Sequence, residues 1–252
     1  MKIKKILTFV FCLLLPSFML RLTLRLLGHS IGKNVKIGFN LIITDKLELG
    51  DNVKISNLNL ILIPKIMLAN NAKLGYLNIC KGPFDLILSN NAALGNKNYL
   101  TRGPLGLTYG KSVLKLGELT KITTGHHLDL TKSIIFGDFS ILAGIGSQIW
   151  THGYYHASNG KDRIRIDGSI NIGDNVYIGS GSIFNPGVKV GKAIHLGAGS
   201  VISKNLEKPG MYVGHSLRFI YNDIDTIKNK LEKINNYDLI ESVYKKSNGA
   251  KE

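Results

Sequence analysis

The chain has 252 residues, 44% of them hydrophobic, with 28 glycines, enough apolar material for one continuous core and an excess of turn-forming residues. Its formal net charge of +15 suits an anionic surface or a phosphorylated ligand, but the basic residues are spread rather than interleaved with aromatics, so no nucleic-acid partner is expected. The two cysteines, Cys12 and Cys80, have no spacing that would build a disulfide framework, which fits a reducing compartment.

Residues 1–30 form a hydrophobic, basic N-terminal segment. Ile6 to Leu20 carries no charge but contains Pro16, and it falls short of the roughly 20 apolar residues that span a bilayer. Lys2, Lys4 and Lys5 precede it, Arg21 and Arg25 follow it, and no acidic residue occurs before Asp45. No small-x-small cleavage site follows, as a signal peptide would require. The pattern predicts a helix lying on a membrane surface, its apolar face in the cytoplasmic leaflet and its basic residues on anionic lipid. The alternative is a helix packed against the chain's own assembly.

From Ile31 a six-residue beat begins, through Ile37, Ile43, Leu49, Ile55 and Ile61, until Pro64 interrupts it. MLANNAKLG, ending at Gly75, and ILSNNAALG, ending at Gly95, read as successive coils. The rhythm continues in degraded form through Leu116, Ile122, Leu128 and Ile134, and resets at Phe136 and Leu142. Six residues on it reaches Gln148, then leaves the pattern over 149–165 in a polar excursion that contains THGYYH. Excursions from a repetitive scaffold are where binding and catalytic groups concentrate.

The beat is strongest from Ile166 to Leu206, with anchors at Ile166, Ile172, Ile178, Phe184, Val190, Leu196 and Ile202. Neither a helix nor a simple strand has this period. Three hexapeptides make one coil of a triangular parallel β-helix, so Ile172 should sit below Val190, Ile178 below Leu196 and Phe184 below Ile202. Gly173, Gly179, Gly191 and Gly197 are placed at corners where a Cβ would collide. After the β-helix, residues 219–252 carry Ile220, Ile224, Ile227, Leu231 and Ile234 at three- and four-residue steps, predicting an amphipathic capping helix that Leu239 to Tyr244 extend, before a disordered tail.

VYIGSGS, NPGVKVG, LGAGSVISK and YVGHSLRFI occur in an order and spacing that resemble the hexapeptide-repeat acyltransferases, a group that includes galactoside, maltose and polysaccharide O-acetyltransferases. The resemblance covers residues 141 to 220. It implies an all-β, left-handed parallel β-helix over residues 31–218, flanked by the N-terminal helix and the C-terminal helix. It also implies a homotrimer with active sites between subunits and acetyl-CoA as the acyl donor. His152 stands where that family carries a catalytic histidine, and a base of near-neutral pKa is what a sugar hydroxyl needs to become a nucleophile.

Tyr154, Tyr155, His156 and Arg163 are the candidate acceptor-binding residues. For the donor, the resemblance carries over Gly179, Ser180, Gly197, Ala198 and Ser200 beside the pantetheine arm, with Lys204 and Arg218 at coenzyme A phosphates. YVGHSLRFI departs from the family's usual G-x-P closing, which leaves Arg218 and His215 open. Zinc sites of related β-helices need three converging histidines, and the spacing of His126, His127, His152 and His156 does not match them, so no metal is expected. The resulting expectation is an acetyl-CoA-dependent O-acetyltransferase acting on a surface-polysaccharide precursor, capsule or lipopolysaccharide, at the inner face of the cell membrane. N-acetylation of a nucleotide-linked amino sugar and a non-catalytic membrane-associated β-solenoid scaffold are the alternatives.

Overall fold

A computed structural model describes residues 2–214, 224–235 and 242–246. Short strands stack in register into three long parallel sheets of eight, nine and eight strands, the three faces of a parallel β-helix. The inward column of the first face runs Ile31, Leu49, Leu68, Leu88, Leu116, Phe136, Ile172, Val190. On the second it runs Ile37, Ile55, Leu74, Leu94, Ile122, Leu142, Ile178, Leu196, Tyr212, and on the third Ile42, Ile61, Cys80, Leu100, Leu128, Ile149, Phe184, Ile202. These columns form one uninterrupted core.

The three stacks expected around Ile172, Ile178 and Phe184 are present, and the two NNA segments are neighbouring coils, with Leu68 against Leu88. On the third face the beat is displaced by one residue in two coils. Ile42 and Ile149 point inward, while Ile43 is exposed and Gln148 half-buried. A strand alternates sides at each residue, so a one-residue slip exchanges core for surface.

Gly173, Gly179, Gly191 and Gly197 are not the sharply turning residues, since none has a positive φ. They are required by the closeness of the rungs: a Cβ on Gly179 would lie 2.4 Å from the Ala198 nitrogen in the next coil. The left-handed positions fall instead on asparagines such as Asn34, Asn52, Asn71, Asn91 and Asn175, on other glycines such as Gly181 and Gly199, and on Leu58, Leu77 and Phe139; glycine and asparagine adopt that conformation most readily. Inside another corner, Asn40, Asn59, Asn78 and Asn98 form a buried ladder. The Oδ1 of Asn40, Asn59 and Asn78 each accepts both the backbone N–H and the side-chain amide of the next asparagine, at 2.9–3.2 Å.

Pro16 divides the N-terminal apolar run into α1 (Lys2–Leu14) and α2 (Ser17–Leu26), and no helix among the described residues is long and apolar enough to cross a bilayer. The pair closes the first coil. Cys12, Leu20 and Leu24 are fully buried, and Arg25 donates to the carbonyls of Ile31 and Gly32. Cys80 is buried in the core, and burial pushes both thiols up to about 12.

The C-terminal expectation is corrected. The helix, α3, covers only Ile224–Asn229, and Leu231–Lys233 and Val243–Lys246 are strands. They extend a hairpin formed by His152–His156 and Arg163–Asp167 into a four-stranded sheet, Val243–Lys246 pairing parallel with Arg163–Asp167. The hairpin leaves a strand edge open, and pairing with that edge buries Val243 and Tyr244, outweighing a helical period diluted by lysine and asparagine. Ile220, Leu239 and the tail after Lys246 lie outside the described residues.

Candidate active site

Two excursions leave the coils on the same flank. Residues 103–112 project between the strands Tyr99–Thr101 and Val113–Leu116, and the hairpin rises between Gln148–Ile149 and Ile170–Ile172. His152 is the first residue of the hairpin and pairs across it with Asp167. The neighbouring rung of the third face ends in Asp129, which is buried.

The Asp129 carboxylate is fully engaged. Oδ1 accepts from the Thr131 amide at 3.2 Å and its hydroxyl at 2.9 Å. Oδ2 accepts from the Thr151 amide at 3.0 Å, the Thr151 hydroxyl at 2.7 Å and His152 Nδ1 at 2.8 Å. Burial would raise the Asp129 pKa, but the bonds from His152, Thr151 and Thr131 and the imidazole charge outweigh it, holding the carboxyl below its ordinary value. The bond to Asp129 raises the His152 pKa above the usual histidine value against the opposing effect of burial.

With Nδ1–H committed to Asp129, Nε2 carries the lone pair, and no described residue bonds it. An imidazole fixed in one tautomer by a buried carboxylate, with its other nitrogen available, can accept a proton from a substrate held against it.

Alternation along the hairpin strand puts His152, Tyr154 and His156 on one side, with successive ring centres 6.2 Å apart. The row continues through Trp150, 6.4 Å from His152, to His127 and Tyr99 on lower coils, at 4.9 and 5.0 Å. Arg163 lies 5.6 Å from the Tyr154 ring centre. Tyr155, on the opposite side of the strand, is half-buried. Of the candidate acceptor residues, the structure therefore brings Tyr154, His156 and Arg163 together with His152.

Behind the dyad lies a basic cluster. Arg165, the last residue of the polar excursion, is buried and paired with Asp167 at 2.9 Å. It also donates to the Leu107 carbonyl, while Arg102 donates to the carbonyls of Tyr109 and Gly110, so two arginines pin the 103–112 loop beneath the hairpin. The Lys132 ammonium sits 3.2 Å from the Tyr109 ring centre, and burial pushes its pKa down to about 8.

The candidate donor residues divide. Gly179 is consumed by rung packing. Ser200 is buried and donates inward to the Gly197 carbonyl at 2.6 Å, so its hydroxyl faces the corner rather than a ligand. Ser180 Oγ bonds the Ile145 carbonyl at 2.7 Å. Gly197 faces Val213. Ala198 and Lys204 are exposed on the outside, where added Cβ atoms on Gly181 and Gly199 would meet nothing within 4 Å. Arg218 and His215 lie outside the described residues. Among the described residues no three His, Cys, Asp or Glu side chains converge as a metal ion would need.

Asp129, Thr131 and Thr151 were not read from the sequence. The available signal was an acid flanked on both sides by leucine, Leu128 and Leu130, in a chain with only 17 acidic residues.

Residues 169–204 match the family model described as bacterial transferase hexapeptide (six repeats). No curated protein sequence matches the chain. Among solved structures, the chain is similar to the polySia specific acetyltransferase NeuO, with 19% identity over 78% of this chain and 82% of that one and a TM-score of 0.45. It is also similar to AntD, an N-acyltransferase from Bacillus cereus, with 16% identity over 82% and 92% and a TM-score of 0.41. A third is a maltose O-acetyltransferase from Clostridium difficile 630, with 19% identity over 88% and 85% and a TM-score of 0.26. The repeat matched at residues 169–204 is the same six-residue repeat from which the coils are built.

Proposed function

We propose that the protein is an acetyl-CoA-dependent O-acetyltransferase acting on a hydroxyl of a surface-polysaccharide precursor at the cytoplasmic membrane face, as a homotrimer. The observation that carries the reading is the dyad: His152 Nδ1 is held 2.8 Å from the buried carboxylate of Asp129, and Nε2 is left for a substrate. His152 takes the acceptor hydroxyl proton as that oxygen attacks the donor's thioester carbonyl. As the carbon–sulfur bond breaks, His152 returns the proton to the departing sulfur, and no covalent enzyme intermediate is needed. Asp129 orients the imidazole and stabilises its charged form.

The row of rings from Tyr99 to His156 offers apolar faces against which sugar rings pack, and the hydrogen-bonding edges of its histidines suit hydroxyls. The acyl donor is placed along the open exterior strip of Ala198, Gly199 and Lys204, where the lysine meets a phosphate. The thioester supplies the acyl group. The fit on this strip is partial, because Gly179 and Ser200 serve the coils rather than a ligand.

The test is kinetic. His152→Ala should keep the fold and donor affinity while lowering turnover by roughly 10²–10⁴-fold, and unchanged turnover would overturn the assignment. Calorimetric titration of acetyl-CoA tests the donor strip: weaker binding by Lys204→Ala supports the placement, and unaltered binding moves the donor elsewhere.

A further inference from the structure

The N-terminal end carries an unneutralised column of charge. On the outer side of the second face Lys36, Lys54 and Lys73 stand in register on three successive rungs, about 4.8 Å apart along the strand-pairing direction. All three are exposed. Like charges directly opposite one another in a sheet are destabilising, yet no described carboxylate forms an ion pair with any of them or with Arg21.

These four side chains line a groove of about 1300 Å³, whose other walls include Phe18 and Tyr76. The groove runs up to α2, which seats Leu20 and Leu24 on the first coil while leaving Phe18 69%, Leu22 62% and Leu26 78% exposed. On α1, Ile3 and Ile6 are exposed as well. The helices thus bury one side in the protein and leave an apolar side without a partner, beside a basic groove. An aqueous surface gains nothing from that combination, whereas an anionic bilayer satisfies both halves at once: apolar side chains enter the interfacial layer and ammonium groups meet lipid phosphates.

We infer that the N-terminal cap docks on an anionic lipid surface, with the outward side of α1 and α2 in the interface and the Lys36–Lys54–Lys73 groove with Arg21 on the phosphates. This deepens the membrane-face part of the proposed function and is independent of the acyl-transfer chemistry. Asp129 and His152 lie on rungs further along the coil axis. Counted along the third face, five rung spacings separate Leu41–Ile43 from Gln148–Ile149, or roughly 24 Å.

The experiment is co-sedimentation of the full chain with phosphatidylcholine vesicles and with vesicles carrying roughly a third phosphatidylglycerol, at low and high salt. Each lysine near a surface of this charge contributes enough that the triple variant Lys36→Gln, Lys54→Gln, Lys73→Gln should bind anionic vesicles about a hundredfold more weakly. Phe18→Ser with Leu22→Ser should weaken binding to both vesicle types. Circular dichroism checks that both variants keep the fold, and His152→Ala should bind vesicles like the parent. Three results would overturn the inference: no vesicle binding by the folded parent, equal binding to both vesicle types with no salt dependence, or capture by a soluble acidic polysaccharide in place of vesicles.

Discussion

Two histidines one coil apart, His126 buried and His152 half-buried, show what separates structural from chemical use of the same side chain. His126 closes on itself: Nδ1 accepts from the Ser147 amide at 3.2 Å, and Nε2 meets the Thr123 hydroxyl at 3.0 Å. Burial pushes its pKa down to about 4, so it stays neutral and serves as a rung that continues the asparagine ladder, taking Asn98 Oδ1 on its own amide at 3.0 Å. His152 has a carboxylate on one nitrogen and no described partner on the other, and its pKa moves upward instead. Coil stacking places both with equal security. The difference lies in the acid beneath His152 and in the hairpin that lifts its ring out of the corner.

The sharpest way to break this comparison is to remove the acid. Asp129→Asn should lower turnover by roughly 10²-fold while the fold persists. A raised His152 pKa places the acidic limb of the kcat/KM profile above the ordinary histidine value. The substitution should move that limb to lower pH, and a profile that does not move would mean that Asp129 serves the fold alone.

Next in size is the closed side of the comparison. Asn78→Ala deprives the Asn98 amides of their acceptor and takes the side-chain donor from Asn59 Oδ1, which keeps only the backbone N–H of residue 78. At about 1–3 kcal/mol for each buried group left unpaired, denaturant unfolding should register a loss of about 3 kcal/mol, with turnover per folded molecule little changed.

The pH dependence of stability follows with a defined sign. His29 resembles His126, with Nδ1 accepting from the Leu47 amide, Nε2 on Thr8, and a pKa pushed down to about 4. Because these folded-state values lie below the unfolded one, the unfolded chain takes up protons first. Their contribution is complete above about pH 6.5 and is lost as pH falls toward 4. His152 has the opposite sign, stabilising below about pH 6.5 and losing its contribution as pH rises through its raised value. Thermal unfolding from pH 7 to 4 should show Tm falling, less steeply in His126→Gln. Smallest is Thr131→Val, which removes one of the five bonds on Asp129 and should cost a few-fold in turnover, measured at saturating acceptor.

The six-residue beat made the β-helix legible because the interior of each coil admits only one column per face, and that column must be apolar at a fixed spacing. It placed His152 on an excursion because the hairpin is where the beat stops. The amphipathic period after Ile220 misled because Val243–Lys246 had a strand edge to join, and local period carries no information about distant edges.

The sequence by itself determined the periodic core, the break after Gln148 and the histidine that leaves the coils there. Only the tertiary structure decided that Asp129, on an earlier coil, lies under that histidine, that Arg165 is paired and buried, and that the N-terminal run is two helices seated on the first coil beside a lysine column. The physical reason is the same in each case. A solenoid brings residues one or more coils apart into contact at about 4.8 Å per rung, and coils of unequal length hide that register from a reading along the chain.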